Sequence, residues 1–236
     1  ALYHGGVAND CRSNLLFVDS ETIDADTCSG KLSEVDGILV PGGFGSRGIE
    51  GKICAARYAR ENNIPYFGIC LGLHIAVIEF ARHTLGLQGA NSEEFDRTTP
   101  HPVIYLMHEW YDEKTDTVQI RDETSEKGGT MRLGAYSCNI NEGTLAHKAY
   151  NKTEISERHR HRYEFNNTYR EKLETAGLTI AGLSVDGRLV EIVEIADHPW
   201  FLACEFHPEF TSTPRDGHPL FESFVRAAIS QREFRS

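Results

Sequence analysis

Short apolar runs alternate with helix-patterned stretches along the first third of the chain. Residues 15–19, 35–40 and 64–69 have the length and apolar content of buried strands. Residues 51–62 and 71–85 carry apolar side chains at helical spacing. This alternation predicts a parallel sheet with helices on both faces, and ligands bind such sheets at the carboxyl ends of the strands.

The remainder of the chain follows a different pattern. Residues 89–134 lack this regular alternation and contain turn residues, charged residues and short strand-like runs, which predicts a lid insertion. Residues 188–195 and 200–206 predict strands joined by a hairpin-like connection, and residues 219–231 predict a final amphipathic helix. We therefore predict one α/β domain over residues 1–236, with a mostly parallel central sheet, a lid insertion and C-terminal strands.

Candidate chemistry lies at the end of the third apolar run. Residues 68–72 read Gly-Ile-Cys-Leu-Gly and place Cys70 where a predicted strand turns into a predicted helix. Small residues on both sides allow a sharp turn that lifts a nucleophile clear of its backbone. The amides and dipole at the helix start are expected to favour the thiolate, relative to a free cysteine pKa of about 8.5.

Two further segments fit a nucleophilic cysteine. The glycine-rich turn at residues 41–45 leaves backbone amides bare, so the amides of Gly43 and Leu71 can form an oxyanion hole. Far downstream, His207 is followed at strand spacing by Glu209, which could complete a Cys-His-Glu relay. The alternative for His207 is a structural histidine at a strand end.

Composition narrows the range of functions. A formal net charge of -11 argues against nucleic acid or an anionic membrane as the main partner. The six cysteines form no C-x-x-C pair, so neither a zinc site nor a disulfide framework is predicted, and a reducing cytoplasm is the expected location. No apolar run approaches the roughly 20 residues of a membrane span, and the first residues do not resemble a signal peptide. The glycine-containing stretch 45–52 lacks the spacing of a phosphate loop, so no ATP site is predicted.

Residues 157–164, Glu-Arg-His-Arg-His-Arg-Tyr-Glu, form the densest charge cluster. An extended conformation places the arginines on one face and the histidines on the other. A solvated edge strand is the favoured interpretation for most of these side chains. An arginine facing a pocket would bind a carboxylate through its planar guanidinium. Histidines two residues apart also suggest a metal, but no second ligand pair is near, and no metal is predicted.

Several motifs together resemble a known family. Segments 41–45, 68–72 and 207–209 are similar to those of class I glutamine amidotransferases. More particular segments, over nearly the whole chain, resemble the glutaminase domain of CTP synthase: residues 90–95, 128–134, 157–164 and 207–215.

The resemblance implies roles for individual residues. Cys70 would be the nucleophile, His207 its base and Glu209 the residue that orients His207. Gly43 and Leu71 would lie at the oxyanion and at the glutamine carbonyl.

The resemblance also implies substrate contacts. Glu94 and Arg162 would hold the amino-acid end of glutamine. His74 stands where the family usually has a glutamine that contacts the substrate. Because a histidine cannot present the donor and acceptor of an amide, we expect weaker glutamine binding without loss of the nucleophile.

The implied reaction is hydrolysis of L-glutamine to glutamate and ammonia through a γ-glutamyl thioester. Ammonia would pass to a synthetase domain that aminates UTP to CTP with ATP and magnesium, while this domain itself needs no cofactor. GTP would act as an allosteric activator through a lid, and the full enzyme would be a homo-oligomer. The residues assigned to this lid are Arg121, Gly128, Gly129, Thr130 and Arg132.

Three alternatives and one further expectation accompany this interpretation. The chain could be another class I amidotransferase, a γ-glutamyl hydrolase, or a catalytically weakened regulatory module, the last suggested by His74. Family domains have a strand and the start of a helix ahead of the position of Ala1, preceded by the synthetase domain. Without that strand, we expect an exposed sheet edge and reduced stability or association.

Overall fold

A computed structural model describes residues 1–107, 109–112, 117–120 and 131–235. Strands β1 to β12 span, in chain order, Ile38–Val40, Tyr66–Ile69, Ala90–Ser92, His101–Leu106, Glu109–Asp112, Thr117–Ile120, Arg132–Ile140, Glu154–His161, Tyr163–Phe165, Leu178–Ser184, Val190–Ile195 and Phe201–Cys204. Helices α1 to α7 span Leu2–Ala8, Cys28–Leu32, Ile49–Glu61, Leu71–His83, Leu145–Tyr150, Arg170–Thr175 and Pro219–Arg235. Within these ranges, no helix combines the length and hydropathy needed to cross a bilayer.

Seven strands form the central sheet, in the order β1-β2-β12-β11-β10-β7-β8. The α/β class predicted from the sequence is confirmed, but the expectation of a mostly parallel sheet is corrected. Strands β1, β2 and β12 run parallel to one another, and the pairs from β12 to β8 are antiparallel. The short connection between β11 and β12 reverses the chain at once, which allows only antiparallel pairing of those two strands.

The parallel part of the sheet is buried on both faces. Tyr66 on β2 packs in a cluster with α3 and α4, and its ring stacks on Phe201 at 4.4 Å between centroids. The next residue, Phe67, points to the opposite face and packs with α7. Its ring meets Trp200 and Phe221 edge-on. Because successive strand residues face opposite sides, β2 anchors two cores at once.

Part of the segment predicted to be a lid insertion packs against the main core. Strands β3 and β4 pair in parallel in a separate three-stranded sheet with β9, and Ala90 and Val103 are fully buried against the main core. Strands β5 and β6 form an antiparallel hairpin. Residues 121–130, which carry most of the predicted lid, lie outside the described residues.

The first predicted strand, residues 15–19, is absent. The segment forms a loop that ends at Asp19, whose side chain accepts a hydrogen bond from the Glu21 amide and caps a 3-10 turn. Leu16 and Phe17 are exposed, so the apolar run does not reflect burial in the sheet. The central sheet therefore ends at β1, which is three residues long.

His198 links the β11–β12 connection to the end of α3. Its Nδ1 accepts a hydrogen bond from the Trp200 amide, and its Nε2 lies 3.1 Å from the carbonyl oxygen of Ala59. A carbonyl only accepts, so Nε2 carries the proton and the ring is neutral. Burial lowers the pKa of His198 below its usual value.

Phe67→Ala is predicted to destabilise the fold strongly, because it empties a site where three aromatic rings meet. Replacing a buried phenylalanine with alanine costs about 3–5 kcal/mol in the free energy of unfolding. Urea titration followed by circular dichroism measures this loss. Phe17→Ala is the matched control, because Phe17 is 89% exposed; an equal effect of both substitutions would contradict the packing described.

His198→Gln is predicted to destabilise the protein more at pH 7.5 than at pH 5. The stabilisation from the neutral ring is fully present above its usual pKa of about 6.5 and is lost as the pH falls toward the lower folded-state pKa. The difference in unfolding free energy between parent and variant should therefore shrink on acidification. A difference that stays constant or grows would show that His198 is not held neutral.

Candidate active site

Cys70 occupies a strained position between β2 and α4. Its φ of 50° and ψ of -102° are unusual for a residue with a side chain, and it is the N-cap of α4. The flanking glycines permit this corner: a Cβ on Gly68 would lie 2.5 Å from the Gly72 carbonyl oxygen, and one on Gly72 would collide with the carbonyl oxygen of Val40. The residues around Cys70 thus have to be glycine for sulfur to sit at this turn.

Three sequence motifs meet at the carboxyl ends of three adjacent parallel strands. Strand β1 leads into the glycine turn, β2 into Cys70 and β12 toward His207. Ile69 pairs with Cys204, and the Cys70 amide donates a 2.7 Å hydrogen bond to the Cys204 carbonyl. The sheet therefore brings residues from distant parts of the sequence to one edge.

His207 is held by its backbone and its side chain. Its amide donates to the carbonyl of Arg158 at 2.7 Å, which fixes it against strand β8. Its Nδ1 lies 2.7 Å from Glu209 Oε1, and its ring stacks on Phe210 with centroids 4.8 Å apart. Because the carboxylate accepts from Nδ1–H, Nε2 is left as the nitrogen that can accept a proton. Nε2 has no hydrogen-bond partner among the described residues.

The glycine turn lies against both motifs. A Cβ on Gly42 would lie 2.6 Å from His207 Cε1, and a Cβ on Gly43 would lie 3.1 Å from Leu71 Cδ2. The backbone of this turn therefore lies in direct contact with the imidazole and with the first residue of α4. The amides of Gly43 and Leu71 belong to these neighbouring segments, and their role as an oxyanion hole stays a prediction.

The environment of the sulfur differs from the sequence expectation. Burial raises the pKa of Cys70 well above its usual value, and the neighbouring carboxyl groups of Glu205, Glu94 and Glu209 act in the same direction. The hydrogen bond from the Leu71 amide lowers the pKa, but its effect is smaller than that of burial or of Glu205. The resting group is therefore a thiol, which has to lose its proton to a base when it attacks.

The predicted substrate residues occupy different surroundings. Glu94 is half-buried and accepts a 2.9 Å hydrogen bond from the Gly45 amide, which brings it beside the glycine turn. Arg162 is half-buried at the end of β8. His74, by contrast, is 3% exposed, and its Nε2 lies 2.9 Å from Oε1 of the buried Glu205.

A buried polar cluster surrounds that contact, inside the sheet and next to the site. Its members, all less than a tenth exposed, are His74, Arg132, His159, His161, Glu164, Glu191 and Glu205. His159 Nδ1 lies 2.9 Å from His161 Nε2, and His161 Nδ1 lies 3.2 Å from Glu205 Oε1. Residues 157–161 lie in the edge strand β8, where Arg158 and Arg160 are exposed as expected but Glu157, His159 and His161 are buried. Residues 163 and 164 belong to β9 in the three-stranded sheet.

Arg132 corrects one sequence prediction. It was assigned to the lid, yet it begins β7 and is 1% exposed. Its Nη1 lies 2.7 Å from Glu191 Oε1, and its guanidinium carbon lies 4.6 Å from the centre of the Tyr136 ring. Burial by itself would lower the pKa of Arg132, but Glu191 and Glu164 raise it above its usual value. Arg132 is the cation of a buried network. The other predicted lid residues, Arg121, Gly128, Gly129 and Thr130, lie outside the described residues.

Three members of the cluster have the chemistry of metal ligands. Ligand atoms of His161, Glu164 and Glu205 lie within 4.8 Å of one another. However, Arg132 Nη1 lies 3.7 Å from Glu164, so a cation already sits beside them. His161 Nδ1 also lies 3.2 Å from the Tyr163 carbonyl, which requires a proton on that nitrogen. Ion pairs and hydrogen bonds account for this group, and the absence of a metal stays a prediction.

Sequence reasoning missed Glu191 and Glu205. Glu191 lies in β11, where every residue from Val190 to Glu194 is buried, and Glu205 follows the wholly buried strand β12. A carboxylate inside an apolar run was the available signal, since such groups are rarely buried without a partner.

Comparisons with known proteins agree with the geometry. A family model described as glutamine amidotransferase class-I matches residues 1–227. The CTP synthase of Oleidesulfovibrio alaskensis is 61% identical over 231 residues, 98% of this chain and 42% of that protein. The CTP synthase of Syntrophus aciditrophicus is 58% identical over 236 residues, 100% of this chain and 42% of that protein. The chain thus spans about two fifths of the length of these relatives.

Solved structures give the same result. The glutaminase domain of Trypanosoma brucei CTPS, solved with bound acivicin, superposes with a TM-score of 0.87 at 42% identity, covering 97% of this chain and 85% of that one. A GMP synthase protein from Thermoplasma acidophilum, at 19% identity and a TM-score of 0.55, covers 89% of this chain and 81% of that one. The second similarity concerns the fold alone.

Proposed function

The chain belongs to the class I glutamine amidotransferases and corresponds to the glutamine amidotransferase part of CTP synthase, and we propose that it hydrolyses L-glutamine through a thioester on Cys70. The observation that carries this proposal is the strained Cys70 at the end of β2, joined by its amide to the strand that leads to the His207–Glu209 pair. A buried thiol at a tight corner, a histidine oriented by a carboxylate and a glycine turn between them are the parts of an acyl-transfer site.

The first half of the reaction forms the thioester. Cys70 sulfur attacks the side-chain amide carbon of glutamine while its proton passes to His207 Nε2. Glu209 stabilises the imidazolium that results. The amide oxygen gains negative charge, which the neighbouring backbone amides of the glycine turn and of α4 stabilise. His207 then gives the proton to the leaving nitrogen, the C–N bond breaks and ammonia departs.

The second half releases glutamate. Water attacks the thioester carbon and passes a proton to His207, which returns it to the sulfur as the C–S bond breaks. The raised pKa of Cys70 fits this sequence, because the thiolate is needed only during attack and the sulfur leaves with a proton supplied by the imidazolium.

Two half-buried charges are proposed to select the substrate. Glutamine carries an ammonium group and a carboxylate at one end, and Glu94 and Arg162 have the complementary charges. The Gly45 amide holds Glu94 beside the glycine turn, so its free oxygen can meet the ammonium group. This pairing would place the side-chain amide of glutamine toward Cys70.

The wider role follows from the relatives and stays a proposal. We infer that the ammonia serves a synthetase domain that aminates UTP to CTP with ATP and magnesium, and that GTP activates hydrolysis. A homo-oligomeric enzyme in the cytoplasm is the expected setting. Another class I amidotransferase or a γ-glutamyl hydrolase would share the thiol chemistry but would not respond to GTP, which makes the nucleotide a discriminating reagent.

Cys70→Ala is predicted to abolish release of glutamate from glutamine, because it removes the sulfur that forms the proposed thioester. Glutamate is measured by an enzyme-coupled assay, with and without GTP, and a diazoketone analogue of glutamine should add its mass to the peptide containing Cys70. Cys11→Ala is the control, since Cys11 lies in a loop outside the site. Label on another cysteine, or full activity of Cys70→Ala, would overturn the proposal; stimulation by GTP would support the CTP synthase assignment.

Gly42→Ala is predicted to lower kcat at least tenfold, because a methyl group would press on the His207 ring from 2.6 Å and displace the base. Labelling of Cys70 by the diazoketone should slow in parallel. Gly30→Ala is the control, since no atom lies within 4 Å of its added Cβ. Unchanged kcat in a folded Gly42→Ala protein would show that the position of His207 does not limit the reaction.

A further inference from the structure

We propose that His74 and Glu205 form a clamp that positions the base segment carrying His207 against the helix that begins at Cys70. The inference rests on the proposed function, because the two elements that the clamp joins carry the nucleophile and the base of that reaction. It gives His74 a positioning role in place of the substrate contact expected from the sequence.

Two links join the same pair of elements. The first is the backbone hydrogen bond from Cys70 to Cys204, at the end of β12. The second is the contact of His74 Nε2 with Glu205 Oε1 at 2.9 Å, which lies one helical turn after Cys70 and one residue after Cys204. The backbone pairing of β2 with β12 ends at Cys204, so the side-chain contact fixes the residues beyond that pairing, which lead to His207, against α4.

The second link is well supported at both ends. The His74 amide donates to the Cys70 carbonyl in the first turn of α4, so the ring projects from the same turn as the nucleophile. The Glu205 amide donates to the Glu191 carbonyl at 2.9 Å, and His207 follows two residues later. Any shift of Glu205 would therefore be passed to His207 over a very short stretch of chain.

Burial makes the pair interdependent. His74 is 3% exposed and Glu205 is 0% exposed, so neither side chain can replace its partner with bulk water. Burial raises the pKa of Glu205 and lowers the pKa of His74 to about 4, and both shifts favour a neutral pair with the proton on the carboxyl. Removing one member would leave the other as a buried polar group without its hydrogen bond.

The groups around the pair hold it in place. His161 Nδ1 also approaches Glu205 Oε1 at 3.2 Å, and Arg132 and Glu191 lie in the same cluster. Among the described residues, His207 and Glu94 also act on the pair, and the thiols of Cys70 and Cys204 interact with Glu205. Because Glu205 lies between two imidazoles, a change of its partner at position 74 acts on its orientation directly.

The clamp also explains how this chain accommodates His74. A neutral carboxyl group can donate to an imidazole nitrogen, so the native pair is matched. An apolar side chain at one position leaves the other partner buried without its hydrogen bond, whereas apolar side chains at both positions leave neither partner unpaired. His74→Leu alone and Glu205→Met alone should therefore be defective, and the double variant should lose no more than the worse single variant.

The test is a double-mutant cycle on the whole chain, with glutamate release as the readout. We expect each single variant to lower kcat about tenfold, with the KM for glutamine within about twofold of the parent, and the double variant to have a kcat no lower than that of the worse single variant. His83→Gln, on the last turn of the same helix, is the control and should change neither constant.

Each other outcome counts against the clamp. A change in KM alone for His74→Leu would make His74 a substrate contact, and additive losses in the double variant would show that the pair does not act as a unit. If the single variants are too unstable to assay, the melting temperatures of the same four proteins are compared instead. A decrease in the double variant equal to the sum of the two single decreases would again overturn the inference. If the parent releases no glutamate, the proposed function fails. The clamp can then still be tested by measuring the rate of Cys70 alkylation by iodoacetamide in the parent, the single variants and the double variant.

Discussion

The pairing of β2 with β12 is the constraint on which the site depends. These strands run parallel and end at the same level, and the amide of Cys70 completes the pairing by donating to Cys204. Strand β2 is buried along its whole length between helices on both faces. The strained backbone of Cys70 persists because these contacts leave it no other arrangement, which is how folds hold costly conformations at reactive residues.

Charge is the second constraint on this fold. The cluster of three glutamates, three histidines and Arg132 lies almost wholly out of solvent, where unpaired charges are expensive. Arg132 offsets Glu191 directly, and the histidines are held neutral by burial. Such a network fixes the mutual positions of strands that hydrophobic packing alone would allow to slide. It also places a carboxyl group, Glu205, close enough to raise the pKa of Cys70.

Elements with a strong local signal were predicted from the sequence nearly to the residue. The helix of residues 71–85 is observed as Leu71–His83, and the last helix begins at Pro219 as predicted. The prediction of a strand at residues 15–19 was wrong, because an exposed apolar run resembles a buried one when tertiary contacts are unknown. The hairpin-like connection predicted between the last two strands is confirmed by their antiparallel pairing. That β7, β8 and β10 extend the sheet in antiparallel fashion was not predicted, because strand pairing is not encoded in any single segment.

The sequence by itself determined the reactive groups: a cysteine between glycines, a histidine followed by a glutamate, and a glycine turn, since each motif is local and its chemistry belongs to its residue types. Only the tertiary structure decided that Arg132 is a buried cation and that His74 faces Glu205. Both facts depend on contacts between residues far apart in the chain. The role of each residue in these contacts depends on which distant segments pack against it, and no local sequence pattern specifies those segments.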